Sequence, residues 1–171
     1  MADKRGTHDY VEDLRNTEVL VYINGKFYPR QDASISVFDS GFLLGDGVWE
    51  GIRLHNGKFL FIEQHLERLF WGASQIDMDI GKTMEEITSI LYDTAKFNKM
   101  ESGVHVRLII SRGVKSTPYQ DPGFTISEPT IVVIPEYKVP SLETQLNGIK
   151  LVSVDIIRGS TNIQDHRINS L

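Results

Sequence analysis

The chain has 171 residues, of which 40% are hydrophobic and 24% charged, as expected for a globular protein of one domain to one and a half. Its net charge of −5 argues against a nucleic-acid partner, and the absence of cysteine excludes disulfides, thiolate catalysis and cysteine-based metal sites. No apolar run reaches the ~20 residues of a membrane span, and the polar start lacks a secretory signal. We therefore expect a cytoplasmic protein without membrane contact.

The first third of the chain predicts antiparallel sheet. Two strand–turn–strand units surround Asn24-Gly25 and Asn56-Gly57, because Asn-Gly favours the tight hairpin turn with positive φ at both residues. The apolar spacing then becomes helical over 61–76, and Thr83 with Glu86 predicts a capping box that opens a second helix. The sequence therefore predicts an α+β fold.

The remaining elements set the predicted organisation. Residues 103–113 and 130–137 alternate as strands, and Ile149–Ile157 predicts a fresh strand. A domain that begins with one strand and stops cannot bury a core, so the sequence is expected to be cut short. The predicted units are an N-terminal arm (1–17), a small α/β domain (18–137), a connector (138–148) and the start of a second domain (149–171).

One strand face carries a candidate pocket wall. From Val48 onwards, alternation places Trp49, Gly51 and Arg53 on one face, where the missing side chain of glycine leaves room for a ligand between a ring and a cation. The alternation alone favours a simpler interpretation, in which Trp49 packs, Arg53 is solvated and Gly51 forms a bulge. Glu50 falls on the opposite, apolar face, where a buried carboxylate requires a partner.

Three further side chains are candidate ligands for an anion. His105 and Arg107 share one strand face and together offer charge-assisted hydrogen bonds to a carboxylate, although a solvated polar face is the simpler explanation from spacing alone. Arg68 flanks an apolar helix stripe, where spacing alone favours a snorkelling side chain over an anion site.

Histidines do not occur at ligand spacing, so no metal site is predicted. Among the lysines, only Lys150 starts a strand pattern, and an edge-strand charge is the preferred interpretation.

The segments INGKFYP, SVFDSGFLLGDGVWEGIRLHNGKF and HLERL, in this order and separation, closely resemble the N-terminal domain of class IV aminotransferases, the fold-type IV pyridoxal-phosphate enzymes. The resemblance runs from about Val19 to at least Arg112. It implies a mostly antiparallel sheet flanked by two helices, followed by the start of a large cofactor-binding domain. It also implies pyridoxal 5'-phosphate as cofactor, an amino acid and a 2-oxo acid as substrates, and a homodimer.

The same resemblance assigns roles to individual residues. Arg68, in HLERL, matches the arginine that grips the cofactor phosphate, which replaces the snorkelling interpretation. The alternating face of GVWEGIR would line the substrate pocket, so Trp49, Gly51 and Arg53 become pocket walls. His105 and Arg107 match a Tyr-x-Arg pair of branched-chain enzymes, with histidine in place of tyrosine.

The subtype is nearer to branched-chain enzymes than to D-amino acid enzymes. The latter carry an Arg-x-His carboxylate trap shortly after their Arg-Gly, where this sequence has Thr117 and Tyr119. GVWEGIR is close to the branched-chain pattern FEGIR. Trp49 in place of phenylalanine, and His105 in place of tyrosine, leave the preferred substrate open.

The family chemistry requires a lysine that forms a Schiff base with the cofactor. In many relatives it lies in an Ile-Lys-Ser-Leu stretch, and the matching text here is INSL, with Asn169 at the lysine position. Three interpretations remain: truncation before a lysine in a shifted register, a natural or engineered replacement, or a slipped alignment. Truncation is favoured, so the chain as given is expected to be inactive.

The alternatives to transamination are a lyase of the aminodeoxychorismate type and a catalytically silent binding or regulatory homologue.

Overall fold

One antiparallel sheet organises the protein, as a computed structural model of residues 12–157, 159–160 and 165–171 describes it. Its strands are β1 (Leu20–Ile23), β2 (Lys26–Pro29), β3 (Gly47–His55), β4 (Lys58–Phe59), β5 (Val104–Ser111) and β6 (Thr130–Tyr137). Their spatial order is β2-β1-β6-β5-β3-β4, and all neighbours run antiparallel. The predicted α+β fold with a mostly antiparallel sheet is confirmed.

Four helices accompany the sheet: α1 (Ser40–Leu44), α2 (Ile62–Gln75), α3 (Met84–Phe97) and α4 (Leu142–Asn147). The long helices α2 and α3 are the two that the periodicity predicts, whereas it does not predict the short helices α1 and α4. The capping box at the start of α3 is present: the Thr83 amide donates to the Glu86 carboxylate at 2.8 Å, and the Glu86 amide donates to the Thr83 hydroxyl at 3.2 Å.

The hydrophobic core lies on one face of the sheet. Alternate residues of the central strands point toward the helices and are buried: Val48, Ile52 and Leu54 from β3, and Val104, Val106, Leu108 and Ile110 from β5. They pack against a helical stripe whose buried members include Leu66, Leu69, Ile87 and Leu91. Each fully buried aliphatic side chain contributes about 2 kcal/mol to folding. In the central part of β3 and β5, the alternate residues that point to the other face are only partly buried.

The strand predicted over Ile149–Ile157 is wrong. These residues pair with no strand of the described chain and have no regular secondary structure. Their apolar side chains are exposed, with Ile157 at 92%. Alternating apolar residues form a strand only where a neighbour accepts their hydrogen bonds, and no described neighbour lies beside them. Lys150 is consequently exposed and does not start a strand. The predicted connector is also partly helical, because α4 lies within 138–148.

The N-terminal arm predicted over 1–17 falls partly on residues 1–11, which lie outside the described residues. The described part is not loose. Residues Leu14–Glu18 form a short 3₁₀ helix, and the buried Asn16 side chain donates to the Tyr137 carbonyl at 3.0 Å. It also accepts from the Tyr137 amide at 2.7 Å. In the part of the chain that the structure describes, no helix is long and apolar enough to cross a membrane.

Candidate active site

Glu50 is the buried carboxylate that the strand alternation singles out. It is 1% exposed on the helix-facing side of β3, where α2 packs across the strand. Arg68 donates two hydrogen bonds to it, from Nε to Oε1 and from Nη2 to Oε2, each 2.6 Å long. His65 Nδ1 lies 2.8 Å from Oε2. The partner that a buried carboxylate requires is thus supplied by α2, from positions 65 and 68 on one face of the helix.

The pairing fixes the orientation of Arg68. The hydrogen bonds to Glu50 raise the pKa of the Arg68 guanidinium above its ordinary value, although partial burial acts in the opposite sense. The side chain is 45% exposed. Among the described residues, none accepts a hydrogen bond from Nη1. The Nη1 edge of the fixed, permanently charged guanidinium therefore faces outward. A guanidinium held in this way is suited to an anion.

The opposite face of the sheet brings together the other five predicted site residues. In the β3–β5 register, Gly51 lies across from Arg107, and Arg53 across from His105. The Arg107 guanidinium carbon lies 4.0 Å from the centre of the Trp49 ring, within the range of a cation–π contact. Arg53 donates from Nη1 to the Lys138 carbonyl at 2.7 Å. The face is therefore a cationic surface with one aromatic ring.

The space above Gly51 is not open, contrary to the expectation from the sequence. A Cβ at this position would lie 2.9 Å from His105 Nε2 and 3.9 Å from the Trp49 ring, so the histidine ring covers the gap. Burial lowers the pKa of His105, and the neighbouring cations Arg107, Arg53 and Lys138 lower it further. Glycine here permits close packing of an imidazole between the two arginines.

The predicted residues thus form two groups separated by the sheet. Arg68 lies on the helix side, whereas Trp49 and Arg107 lie on the open side, so they do not frame a single cleft. In the described residues, the two groups approach each other at the edge of β3, where residues 168–171 lie alongside the strand. Trp49 Nε1 donates to the Ser170 carbonyl at 3.1 Å, and Asn169 Nδ2 lies 3.5 Å from Glu50 Oε1.

A second ion pair sets the start of β3. Asp46, in the Gly-Asp-Gly turn, accepts from Arg112 Nε at 2.7 Å and from Nη2 at 3.1 Å. Arg112 also donates to the carbonyls of Ile76 and Asp77, just after α2. The turn, the end of β5 and the end of α2 are thereby tied together. The sequence analysis does not predict this pair. The signal that could have indicated it is the acidic residue between two glycines.

Lys115 is a buried lysine to which sequence reasoning assigns no role. It is 1% exposed, and its Nζ donates to the Asp121 carbonyl at 2.8 Å. It lies in the long loop after β5, remote in sequence from Glu50 and Arg68. Its position between valine and serine, in a loop rich in proline, gives no signal of burial. Among the described residues, no cluster of three or more histidine, aspartate or glutamate side chains could hold a metal ion.

Comparison with known proteins connects this arrangement to a family. Residues 47–168, which include β3, α2 and β5, match the family model described as amino-transferase class IV. A branched-chain-amino-acid aminotransferase-like protein of Arabidopsis thaliana is 35% identical over 90% of this chain. The D-alanine aminotransferase of Staphylococcus haemolyticus is 31% identical over 81% of this chain. The chain spans only 28% of the first relative and 48% of the second.

Solved structures agree on the fold. The branched-chain amino acid aminotransferase of T.th., crystallised with pyridoxamine 5'-phosphate, aligns with a TM-score of 0.70 over 90% of this chain and 50% of its own. The enzyme from Thermoproteus uzoniensis, solved with norvaline, aligns with a TM-score of 0.57 over 69% of this chain and 40% of its own. Their identities of 19% and 23% support the fold alone. Because the family model matches most of the sequence, this chain belongs to the class IV aminotransferases.

Proposed function

We propose that the whole protein, of which this chain corresponds to 28–48% of the length of its relatives, carries out pyridoxal-phosphate-dependent transfer of an amino group between an amino acid with a branched side chain and a 2-oxo acid. The observation that carries this proposal is the half-exposed Arg68 guanidinium, held in place by the buried Glu50 carboxylate. Bound pyridoxal phosphate would supply the electron-withdrawing ring and the aldehyde carbon through which amino groups are exchanged. The branched-chain preference is supported by the similarity to the branched-chain-amino-acid aminotransferase-like protein of Arabidopsis thaliana.

The residues of the described chain fit the phosphate end of the cofactor. Arg68 uses Nε and Nη2 for Glu50, which leaves the Nη1 edge of the fork directed away from that carboxylate. A phosphate oxygen can accept from this edge without breaking the ion pair. Because Glu50 fixes the guanidinium, less side-chain freedom is lost when the anion binds. We assign phosphate binding to Arg68 on this basis.

The described residues fit the aldehyde end of the cofactor, which a lysine would bind covalently, less well than the phosphate end. Asn169 occupies the position at which the resemblance implies a lysine, and an amide nitrogen is not a nucleophile at neutral pH. Among the described residues, no lysine hydrogen-bonds to Glu50 or Arg68. We therefore propose no covalent step for this chain, and the chain as given is expected to be inactive in amino transfer.

The open face of β3 and β5 is the proposed substrate wall. Arg107 stacks on Trp49, which orients the guanidinium along the sheet, and a carboxylate can accept from it and from Arg53. His105 lies between the two arginines and covers Gly51, so it limits the space that a substrate can occupy beside this face of the sheet. A homodimer and a cytoplasmic location remain proposals that rest on analogy with the family.

The decisive experiment is a coupled assay on the whole protein. Incubation with pyridoxal phosphate, leucine and 2-oxoglutarate should yield glutamate, and Arg107→Lys should raise the KM for both acids because the planar fork is lost. Arg15→Lys is the matched control, since Arg15 also stacks on an aromatic ring, that of Tyr137, but pairs with Asp13 outside the proposed wall. Absence of glutamate would contradict the proposal.

The two alternatives make different predictions in the same assay. A lyase would release pyruvate from aminodeoxychorismate without needing a 2-oxo acid. A silent homologue would produce neither product and would show no absorbance beyond that of free pyridoxal phosphate. Glutamate formation excludes both alternatives as the main activity.

A further inference from the structure

Residues 168–171, here called the C-terminal segment, lie along the edge of β3 and pair with it through a single antiparallel bridge. The Trp49 amide donates to the Asn169 carbonyl at 2.9 Å, and the Leu171 amide donates to the Gly47 carbonyl at 3.1 Å. Val48 and Ser170 form an antiparallel bridge between these bonds. A side-chain bond from Trp49 Nε1 to the Ser170 carbonyl reinforces the pairing. The segment is thus placed in a defined register.

Gly45, just before β3, and Gly47, its first residue, leave room for this docking. A Cβ on Gly47 would lie 2.5 Å from the Ile110 carbonyl oxygen of β5 and 2.6 Å from Leu171 Cδ1, and a Cβ on Gly45 would lie 2.8 Å from the Leu171 carbonyl oxygen. Any larger residue would therefore displace the segment or the turn. At the other end, Ile168 Cγ2 would be 3.6 Å from a Cβ on Gly72 of α2, an ordinary contact distance. The segment is enclosed between the Gly-Asp-Gly turn and α2.

The register directs the Asn169 side chain to the ion pair under β3. Its Nδ2 lies 3.5 Å from Glu50 Oε1, the same oxygen that accepts from Arg68 Nε at 2.6 Å. Position 169 therefore lies next to the carboxylate that holds the proposed phosphate anchor. The side chain found there is an amide, which can donate and accept hydrogen bonds but cannot condense with an aldehyde.

We propose that this chain holds pyridoxal phosphate reversibly, through Arg68 and the Asn169 amide, without any covalent bond. The inference rests on the proposed function, because it takes the cofactor from that proposal and assigns the way it is held. Binding then depends on the phosphate and on hydrogen bonds alone. Pyridoxamine phosphate, which carries no aldehyde, should bind as well as pyridoxal phosphate.

The test uses two probes on the 171-residue chain. Pyridoxamine phosphate binding is measured by equilibrium dialysis, with Arg68→Lys expected to weaken it about tenfold and Arg30→Lys to leave it unchanged. Separately, the chain is mixed with one equivalent of pyridoxal phosphate and treated with borohydride, and the labelled lysines are located by peptide mass spectrometry. The unmodified chain should retain no label that depends on Arg68.

A gain-of-function variant completes the design. In Asn169→Lys the new amine condenses with the aldehyde, water leaves, and hydride from borohydride reduces the C=N bond to a stable secondary amine at residue 169. Asn147→Lys, on the exposed helix α4, is the matched control for an added lysine and should not be labelled selectively. Failure of Asn169→Lys to gain the label would overturn the placement of residue 169 beside the anchor.

The outcomes separate the two proposals. If neither probe binds in an Arg68-dependent way, the assignment of Arg68 in the proposed function is wrong, and this inference is lost with it. If both probes bind but the unmodified chain retains a label on one lysine that is lost in Arg68→Lys, the proposed function stands and reversible holding is contradicted. Mapping would identify that lysine directly.

Discussion

Glu50 and Arg68 form a two-point ion pair between the central part of β3 and the middle of α2, with both N–O distances at 2.6 Å. The carboxylate is almost wholly buried and the guanidinium nearly half exposed. Such a pair contributes less to net stability than its geometry suggests, since burying the carboxylate costs solvation energy. Its specific effect is positional, because it holds α2 in register on the strand and fixes one charge at the surface.

Replacing Glu50 by glutamine tests the energetic part of this argument. Glu50→Gln keeps the shape of the side chain but removes its charge, so Arg68 loses its ionic partner. An NH2 group also replaces one buried carboxylate oxygen, and this donor then faces the N–H donors of Arg68. We expect a loss of about 2 kcal/mol in the free energy of unfolding, measured by urea denaturation. Glu136→Gln, which breaks the exposed pair with Arg30, should cost less than ~0.5 kcal/mol. Equal losses for both variants would contradict the special role of Glu50.

The sequence predicts much of this arrangement, because strand alternation and helix periodicity are local properties. Period-2 alternation places Glu50 on the apolar face of β3, and helical spacing places Arg68 beside the core stripe of α2. Burial of a carboxylate then requires a partner. Which partner it takes depends on how α2 crosses the sheet, and local spacing does not determine that. The pairing of Glu50 with Arg68 and His65 therefore becomes visible in the structure and not in the sequence.

The errors also have physical causes. The strand predicted over 149–157 rests on alternation, which measures local preference but does not supply a neighbouring strand. Gly51 suggests open space because a missing side chain is visible in the sequence, whereas the His105 ring that fills the space comes from β5. Both cases require knowledge of what lies across the sheet.

The histidine between the two arginines should make stability depend on pH. The folded pKa of His105 lies below the ordinary value of 6.5, chiefly because of burial and secondly because of Arg107. Between the folded pKa and 6.5 the unfolded chain binds more protons, so stability falls as the pH drops below 6.5. We expect His105→Gln to reduce this fall, as measured by urea midpoints from pH 7 down to about pH 5.

The charge contribution can be separated from burial by changing a neighbour. Arg107→Gln removes the cation with the largest effect on His105 and should raise the pKa of His105, which a proton NMR titration of the imidazole would follow. Glu136 acts on His105 in the opposite sense, so Glu136→Gln should lower the same pKa. A titration that is unaffected by either variant would show that the neighbouring charges do not act on His105.

A methyl group at position 51 should move the imidazole without unfolding the protein. In Gly51→Ala the new Cβ meets His105 Nε2 at 2.9 Å, but that atom ends a rotatable side chain that can yield. Alanine is also less costly in a strand than glycine, so the net change in stability should be within ~1 kcal/mol. The NMR signals of His105 should shift strongly. Gly72→Ala, on the helix side of the sheet, is the control and should leave those signals in place.

Removal of residues 169–171 should expose one edge of β3 and the indole of Trp49. The Trp49 backbone amide and Nε1 would both lose their acceptors, Asn169 and Ser170, and about 1–2 kcal/mol of stability should be lost with them. In a Trp71→Phe background, where fluorescence reports Trp49 alone, the emission should shift to the red and the indole N–H should exchange faster. If Trp49 remained equally protected after truncation, the docking of the C-terminal segment would be contradicted. The placement of residue 169 beside Arg68 would then lose its structural basis, because that register alone brings Asn169 to Glu50.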